Sequence, residues 1–215
     1  MIVFLSIVQT GNIKAQDKAE TKVYNVAVLV YDSIYLLDFA GPLEVFADSF
    51  SKDGKHLFNV YTVAPDSGSI RAHTGLVVTP DYTLEDMPAP DIFVVPGGNL
   101  GLLNGNDKLK KQIIETSNQS DMVLSVCTGA FILSAAGLLD GMEATTWYGA
   151  VDRLQKITPK AKVVKNKRIT INEKLITTAG VSAGIDGALH IVGKLFGKET
   201  AAATAKYIEY DCWSE

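Results

Sequence analysis

Three short runs of nearly unbroken apolar character constrain this chain most: Val23–Tyr31 (VYNVAVLVY), Asp91–Val95 (DIFVV) and Met122–Val126 (MVLSV). Such runs lack the in-out alternation of a strand with one wet face, so they read as strands buried on both faces. Helical patterns separate them. Leu36–Phe50 carries Leu43, Phe46, Ala47 and Phe50 on one stripe, with Pro42 expected in its first turn. Asp107–Ser117 reads as a helix with a charged outer face, and Ala130–Leu139 follows the third run directly. Phe58–Ala64 is a further strand, Ser69–Leu84 an antiparallel excursion punctuated by Gly75, Pro80 and Asp81, and a short strand lies near Ala144. A helix around Asp152, a hairpin in KRITINEKLITTAG and helices over Ser182–Phe196 and Glu199–Tyr210 complete the pattern. The expectation is an α/β fold: a mostly parallel sheet, covered on both faces, with a small antiparallel part.

Residues 22–215 are expected to form one domain, and 1–21 a leader. Ile2–Val8 is apolar but too short to span a bilayer. It has the length of a secretory h-region with a cleavage site after Ala15, although no Lys or Arg precedes it. The protein is therefore expected in the cytoplasm, or in the periplasm if residues 1–15 are a cleaved signal. A formal charge of -4 with no basic, aromatic-interleaved cluster argues against nucleic acid as a partner. Two cysteines, Cys127 and Cys212, make no disulfide framework, and the histidines His56, His73 and His190 have no zinc-like spacing with them. No metal and no cofactor is expected.

In an open parallel sheet, ligands bind at the carboxyl ends of the strands. Three features fall there. Ser125-Val126-Cys127-Thr128-Gly129 runs from strand to helix with a reactive side chain at the corner, the pattern of a nucleophile elbow with Cys in place of Ser. The helix N-terminus is expected to favour the thiolate, so that Cys127 would label with iodoacetamide faster than Cys212. Pro96-Gly97-Gly98 ends the preceding strand, with backbone N–H groups expected to be accessible to an anionic substrate atom. Asp38 stands just past the first strand, either as an active-site acid or as a helix cap.

Taken together, DFAGPLEVF, VVPGG, SVCTGAFILSAAGLLDG, ATTWY and TTAGVSAGID resemble the ThiJ/PfpI superfamily, a class I glutamine amidotransferase-like group, from about Val26 to Tyr210. The resemblance is strongest to the isonitrile hydratase branch and extends to the sensor domains of AraC-like regulators. It implies a flavodoxin-like three-layer sandwich, a homodimer, and a small-molecule substrate. It implies Cys127 as nucleophile, Asp38 as the carboxylate near its sulfur, Thr128 as the residue after the nucleophile, and Gly97 and Gly98 as the facing loop. Trp147 stands where proteases and glyoxalases of the superfamily commonly carry His, which speaks against a Cys–His dyad. AraC-like regulators continue into a helix-turn-helix module, which this sequence is not expected to carry. The leading expectation is a lyase that hydrates an isonitrile to an N-substituted formamide through a Cys127 thioimidate. A redox-sensing or non-catalytic binding protein, and a glyoxalase- or deglycase-like activity, are the alternatives.

Overall fold

The computed structural model describes residues 22–212. The expected leader, and with it the question of a cleaved signal, lies outside the described residues. In chain order the elements are β1 (Tyr24–Leu29), α1 (Leu36–Ala47), β2 (Phe58–Ala64), β3 (Ile70–Arg71), β4 (Val77–Val78), β5 (Tyr82–Thr83), β6 (Ile92–Val95), α2 (Asp107–Gln119), β7 (Met122–Val126) and α3 (Gly129–Ala135). They continue with β8 (Glu143–Ala144), a 3₁₀ turn (Tyr148–Ala150), α4 (Val151–Ile157), β9 (Lys162–Val163), β10 (Ile169–Ile171), β11 (Leu175–Thr178), α5 (Ala183–Phe196) and α6 (Lys198–Tyr207).

Seven strands form the main sheet in the order β10-β11-β7-β6-β1-β2-β5, parallel throughout except for the β10–β11 hairpin at one edge. Helices flank this sheet, giving the expected flavodoxin-like α/β fold. The apolar runs predicted as doubly covered are so: every residue of β6 and β7 is buried, as are the last four of β1. The strands leave β1 in opposite directions, toward β2 on one side and β6 on the other. This switch point opens a crevice at the carboxyl ends of β1 and β6, where α/β sheets take their ligands.

Several local expectations change. Pro42 lies inside α1, six residues past its start, rather than in the first turn. A proline there leaves the carbonyl of residue 38 without its helical donor. The position is held by packing: a Cβ on Gly184 of α5 would sit 3.1 Å from Pro42 Cγ, and one on Gly41 would sit 3.0 Å from Ile185 Cγ1. Small residues thus bring α1 and α5 together, and both lie against the sheet. The antiparallel excursion is confined to β3 and β4, whereas Tyr82–Thr83 joins the main sheet parallel to β2. The helix expected over Ala130–Leu139 stops at Ala135, followed by Gly137 at φ 76°, a left-handed residue that reverses the chain.

Candidate active site

Cys127 follows β7 with φ 57°, a backbone region that L-residues avoid at a cost of about 1–2 kcal/mol. Neighbours hold it there. The Cys127 N–H donates to the Ala179 carbonyl at 3.0 Å, and the Thr146 hydroxyl donates to the Cys127 carbonyl at 2.7 Å. The next turn is possible only with glycine, since a Cβ on Gly129 would fall 2.0 Å from the Val95 carbonyl oxygen. The strand–elbow–helix geometry expected from the sequence is therefore present.

Asp38 comes to the same place from α1. It is not a cap. The N-cap is Tyr35 without a side-chain bond, and Asp38 is the third residue of the helix, wholly buried. Its Oδ2 accepts the Gly97 N–H at 3.1 Å. Oδ1 is buried without a conventional donor, and the groups facing the carboxyl are the Cys127 thiol and the Val181 amide. Burial pushes the Asp38 pKa up to about 6, against the pull of these donors and of His73.

Burial acts against the thiolate that the elbow alone suggests. Burial first, and the neighbouring Asp38 charge second, push the Cys127 pKa up to about 12, despite the Thr128 and Val181 amides that favour the thiolate. Removing water costs the charged form more than a seven-residue helix start and two amides return. Two acids in one buried site cannot both ionise readily, so Asp38 and Cys127 titrate as a coupled pair.

Gly97 and Gly98 also differ from expectation. Their N–H groups are not free for a substrate: one serves Asp38 and the other donates to Thr128 Oγ1 at 3.1 Å. The loop shapes the site by closeness instead. A Cβ on Gly97 would lie 2.6 Å from both Asp38 Oδ2 and Thr128 Oγ1, and one on Gly98 would lie 2.8 Å from the Ile34 Cα. With its oxygen already accepting a bond, Thr128 keeps its hydroxyl proton available to a bound molecule. Trp147 is exposed and stands over the loop at Gly180, its Cδ1 only 2.6 Å from where a Gly180 Cβ would be.

Three further residues reach the site without having been singled out as site residues in the sequence. Val181, at φ 54°, lies close enough for its backbone to favour the charged forms of Cys127 and Asp38. The motif TTAGVSAGID was visible, but its backbone role was not. Tyr31 is buried, and its hydroxyl donates to the Pro96 carbonyl at 2.8 Å. Its pKa is raised by burial and by the nearby Asp38 and Cys127 charges. His73 arrives with the β3–β4 hairpin, which docks on the β1–α1 loop: its N–H donates to the Ile34 carbonyl at 3.0 Å and its ring lies 4.3 Å from that of Tyr35.

A cysteine elbow at the crevice of a doubly wound sheet, with a buried carboxyl against its sulfur, defines a class of cysteine-centred α/β proteins. The sequence pattern of the DJ-1/PfpI family matches residues 24–194, and the chain belongs to that family. It is 35% identical over 186 residues to the isonitrile hydratase of Pseudomonas putida, covering 86% of this chain and 78% of that one. It is 26% identical over 188 residues to the HTH-type transcriptional regulator GbdR of Pseudomonas aeruginosa, covering 87% of this chain but about half (51%) of the regulator. A THiJ/PfpI family protein from Pseudomonas syringae has the same fold, with a TM-score of 0.79 at 25% identity, covering 97% of this chain and 84% of that one.

Proposed function

We propose that this protein is an isonitrile hydratase-like lyase in which Cys127 is the nucleophile and Asp38 moves the protons. The observation that carries the reading is the site's geometry: a wholly buried Asp38 carboxyl, tied to Gly97 and with its pKa raised by burial to about 6, in the same site as the Cys127 elbow. Such a carboxyl can accept and return a proton near neutral pH, as a general acid–base should. Similarity to the Pseudomonas putida isonitrile hydratase supports the substrate class.

The Cys127 sulfur attacks the terminal carbon of R–N≡C. The thiol proton passes through Asp38 to that same carbon, giving the thioimidate R–N=CH–S. Water adds to the carbon, with its second proton delivered to nitrogen. The C–S bond then breaks, the hydroxyl proton returns to sulfur, and R–NH–CHO leaves. The Thr128 hydroxyl would orient the attacking water or the substrate nitrogen, and Trp147 would bound the R group. No histidine is needed. The protein is also proposed to act as a homodimer.

A second reading, a sensing domain that binds a small molecule without turning it over, is favoured by the likeness to GbdR. Purified protein offered an isonitrile, or methylglyoxal, separates the readings. N-substituted formamide supports the hydratase, lactate supports a glyoxalase-like activity, and ligand-induced stabilisation without product supports the sensor.

A further inference from the structure

The Pro96-Gly97-Gly98 loop after β6 contains two peptide groups, and each is gripped at both ends. The Pro96 carbonyl accepts the Tyr31 hydroxyl at 2.8 Å, and the N–H of that same peptide, carried by Gly97, donates to Asp38 Oδ2 at 3.1 Å. The Gly97 carbonyl accepts the Tyr35 N–H at 3.0 Å, and the N–H across that peptide, carried by Gly98, donates to Thr128 Oγ1 at 3.1 Å. A trans peptide points its oxygen and its N–H in opposite directions, so Tyr31 and Asp38 hold the first peptide from opposite sides. Packing fixes Tyr31 in place. It follows β1, is buried, and lies so near the loop that a Cβ on Gly98 would fall 3.0 Å from its Cε2.

The two bonds of the first peptide depend on each other. Pro96 and Gly97 are buried, so turning the plane to take the N–H off Asp38 would also leave the Pro96 carbonyl without a donor. A hydroxyl bonded to the carbonyl polarises the peptide, which makes its N–H the stronger donor. We infer that Tyr31 is a positioning residue: by holding the Pro96 carbonyl it aims and strengthens the Gly97 N–H that serves the Asp38 carboxylate. It acts through the peptide and touches no reacting atom itself. The inference deepens the hydratase reading, because the carboxyl it serves is the proposed proton carrier. Phenylalanine would fill the same space, so the role belongs to the hydroxyl and not to the ring.

The test is Tyr31→Phe, which keeps the ring and removes only the hydroxyl, in the full chain without substrate. The 13C shift of the Asp38 carboxyl follows its titration, and hydrogen exchange follows the Gly97 amide. Wild type and Tyr61→Phe stand beside it; the latter loses another hydroxyl bonded to a proline carbonyl, Tyr61 to Pro88 at 2.6 Å. The titratable groups around Asp38 are Cys127, His73 and Tyr31 itself. The first two are unaltered, and burial keeps Tyr31 protonated through the titration, so the variant removes no charge. In Tyr31→Phe the carboxylate loses part of its donor. Its ionisation constant is expected to fall at least threefold, about half a unit of pKa. The Gly97 amide is expected to exchange about tenfold faster or more. Both changes, with neither in Tyr61→Phe, support the role. An Asp38 pKa unchanged or lowered in folded Tyr31→Phe, or raised as much in Tyr61→Phe, overturns it. If Tyr31→Phe fails to fold, 4-aminophenylalanine at position 31, a weaker donor of the same shape, takes its place, and an unchanged Asp38 pKa there overturns the role. Absence of hydratase activity would leave the result readable, since no substrate enters the measurement.

Discussion

Oδ2 of Asp38 accepts the Gly97 N–H at 3.1 Å, tying the first helix to the loop after β6. This bond makes the Pro-Gly-Gly loop part of the carboxyl's environment rather than a free anion cradle. Gly97→Ala puts a methyl 2.6 Å from that oxygen and 2.7 Å from the Thr128 N, with backbone on one side that cannot yield. The substitution is expected to cost about 1–3 kcal/mol of stability by overpacking, and activity by about tenfold or more as the carboxyl shifts. Thermal unfolding and turnover, measured together, check this. A fully active Gly97→Ala protein would show that the loop tolerates displacement of Asp38.

Asp38 also sets the pH dependence of folding. Its pKa is raised in the folded protein from about 3.8 to about 6, so the native state binds more protons than the unfolded chain between those values. Stability from this group is complete below about pH 4 and is lost as pH rises through about 6. The loss approaches about 3 kcal/mol, at about 1.4 kcal/mol per unit. Asp38→Asn is expected to remove this slope and to be the more stable protein at pH 8. Denaturant unfolding from pH 4 to 8 measures it, and parallel curves for the two proteins would contradict it.

Iodoacetamide is expected to label Cys212 before Cys127, the reverse of the order the elbow motif alone suggests. Cys212 is exposed, whereas Cys127 is 4% exposed with its pKa pushed to about 12. Alkylation follows the thiolate fraction and access. Peptide mapping after brief labelling at pH 8 decides the order, and faster labelling of Cys127 would show a thiolate stabilised beyond what burial permits.

Much of this was legible in the sequence, for identifiable reasons. Phe58–Ala64 and Met122–Val126 form strands with the bounds read from their apolar runs, because strands buried on both faces tolerate little else. Cys127, Asp38, Thr128, Gly97 and Gly98 converge because each follows or faces a strand end at the switch point. The failures lie where tertiary context decides. Pro42 suits a first turn by local preference, yet packing against Gly184 seats it mid-helix. The Gly97 and Gly98 amides are free in a loop pattern but spent on Asp38 and Thr128 in the fold. The Cys127 pKa depends on burial and on a carboxyl 89 positions away in sequence, neither of which a strand-to-helix motif encodes.

Light scattering is expected to give about twice the 23.1 kDa chain mass, in keeping with the proposed homodimer. A single-chain mass held across a concentration series would remove the dimer.

The most direct measurement is formamide formation from cyclohexyl isocyanide by wild type, Cys127→Ala and Asp38→Asn, with unfolding curves to show that all three are folded. Wild-type turnover, abolished in Cys127→Ala and reduced about 10²–10⁴-fold in Asp38→Asn, is expected of a thiol nucleophile served by a general acid–base. Turnover that survives in folded Asp38→Asn, or no formamide from the wild type, would contradict it.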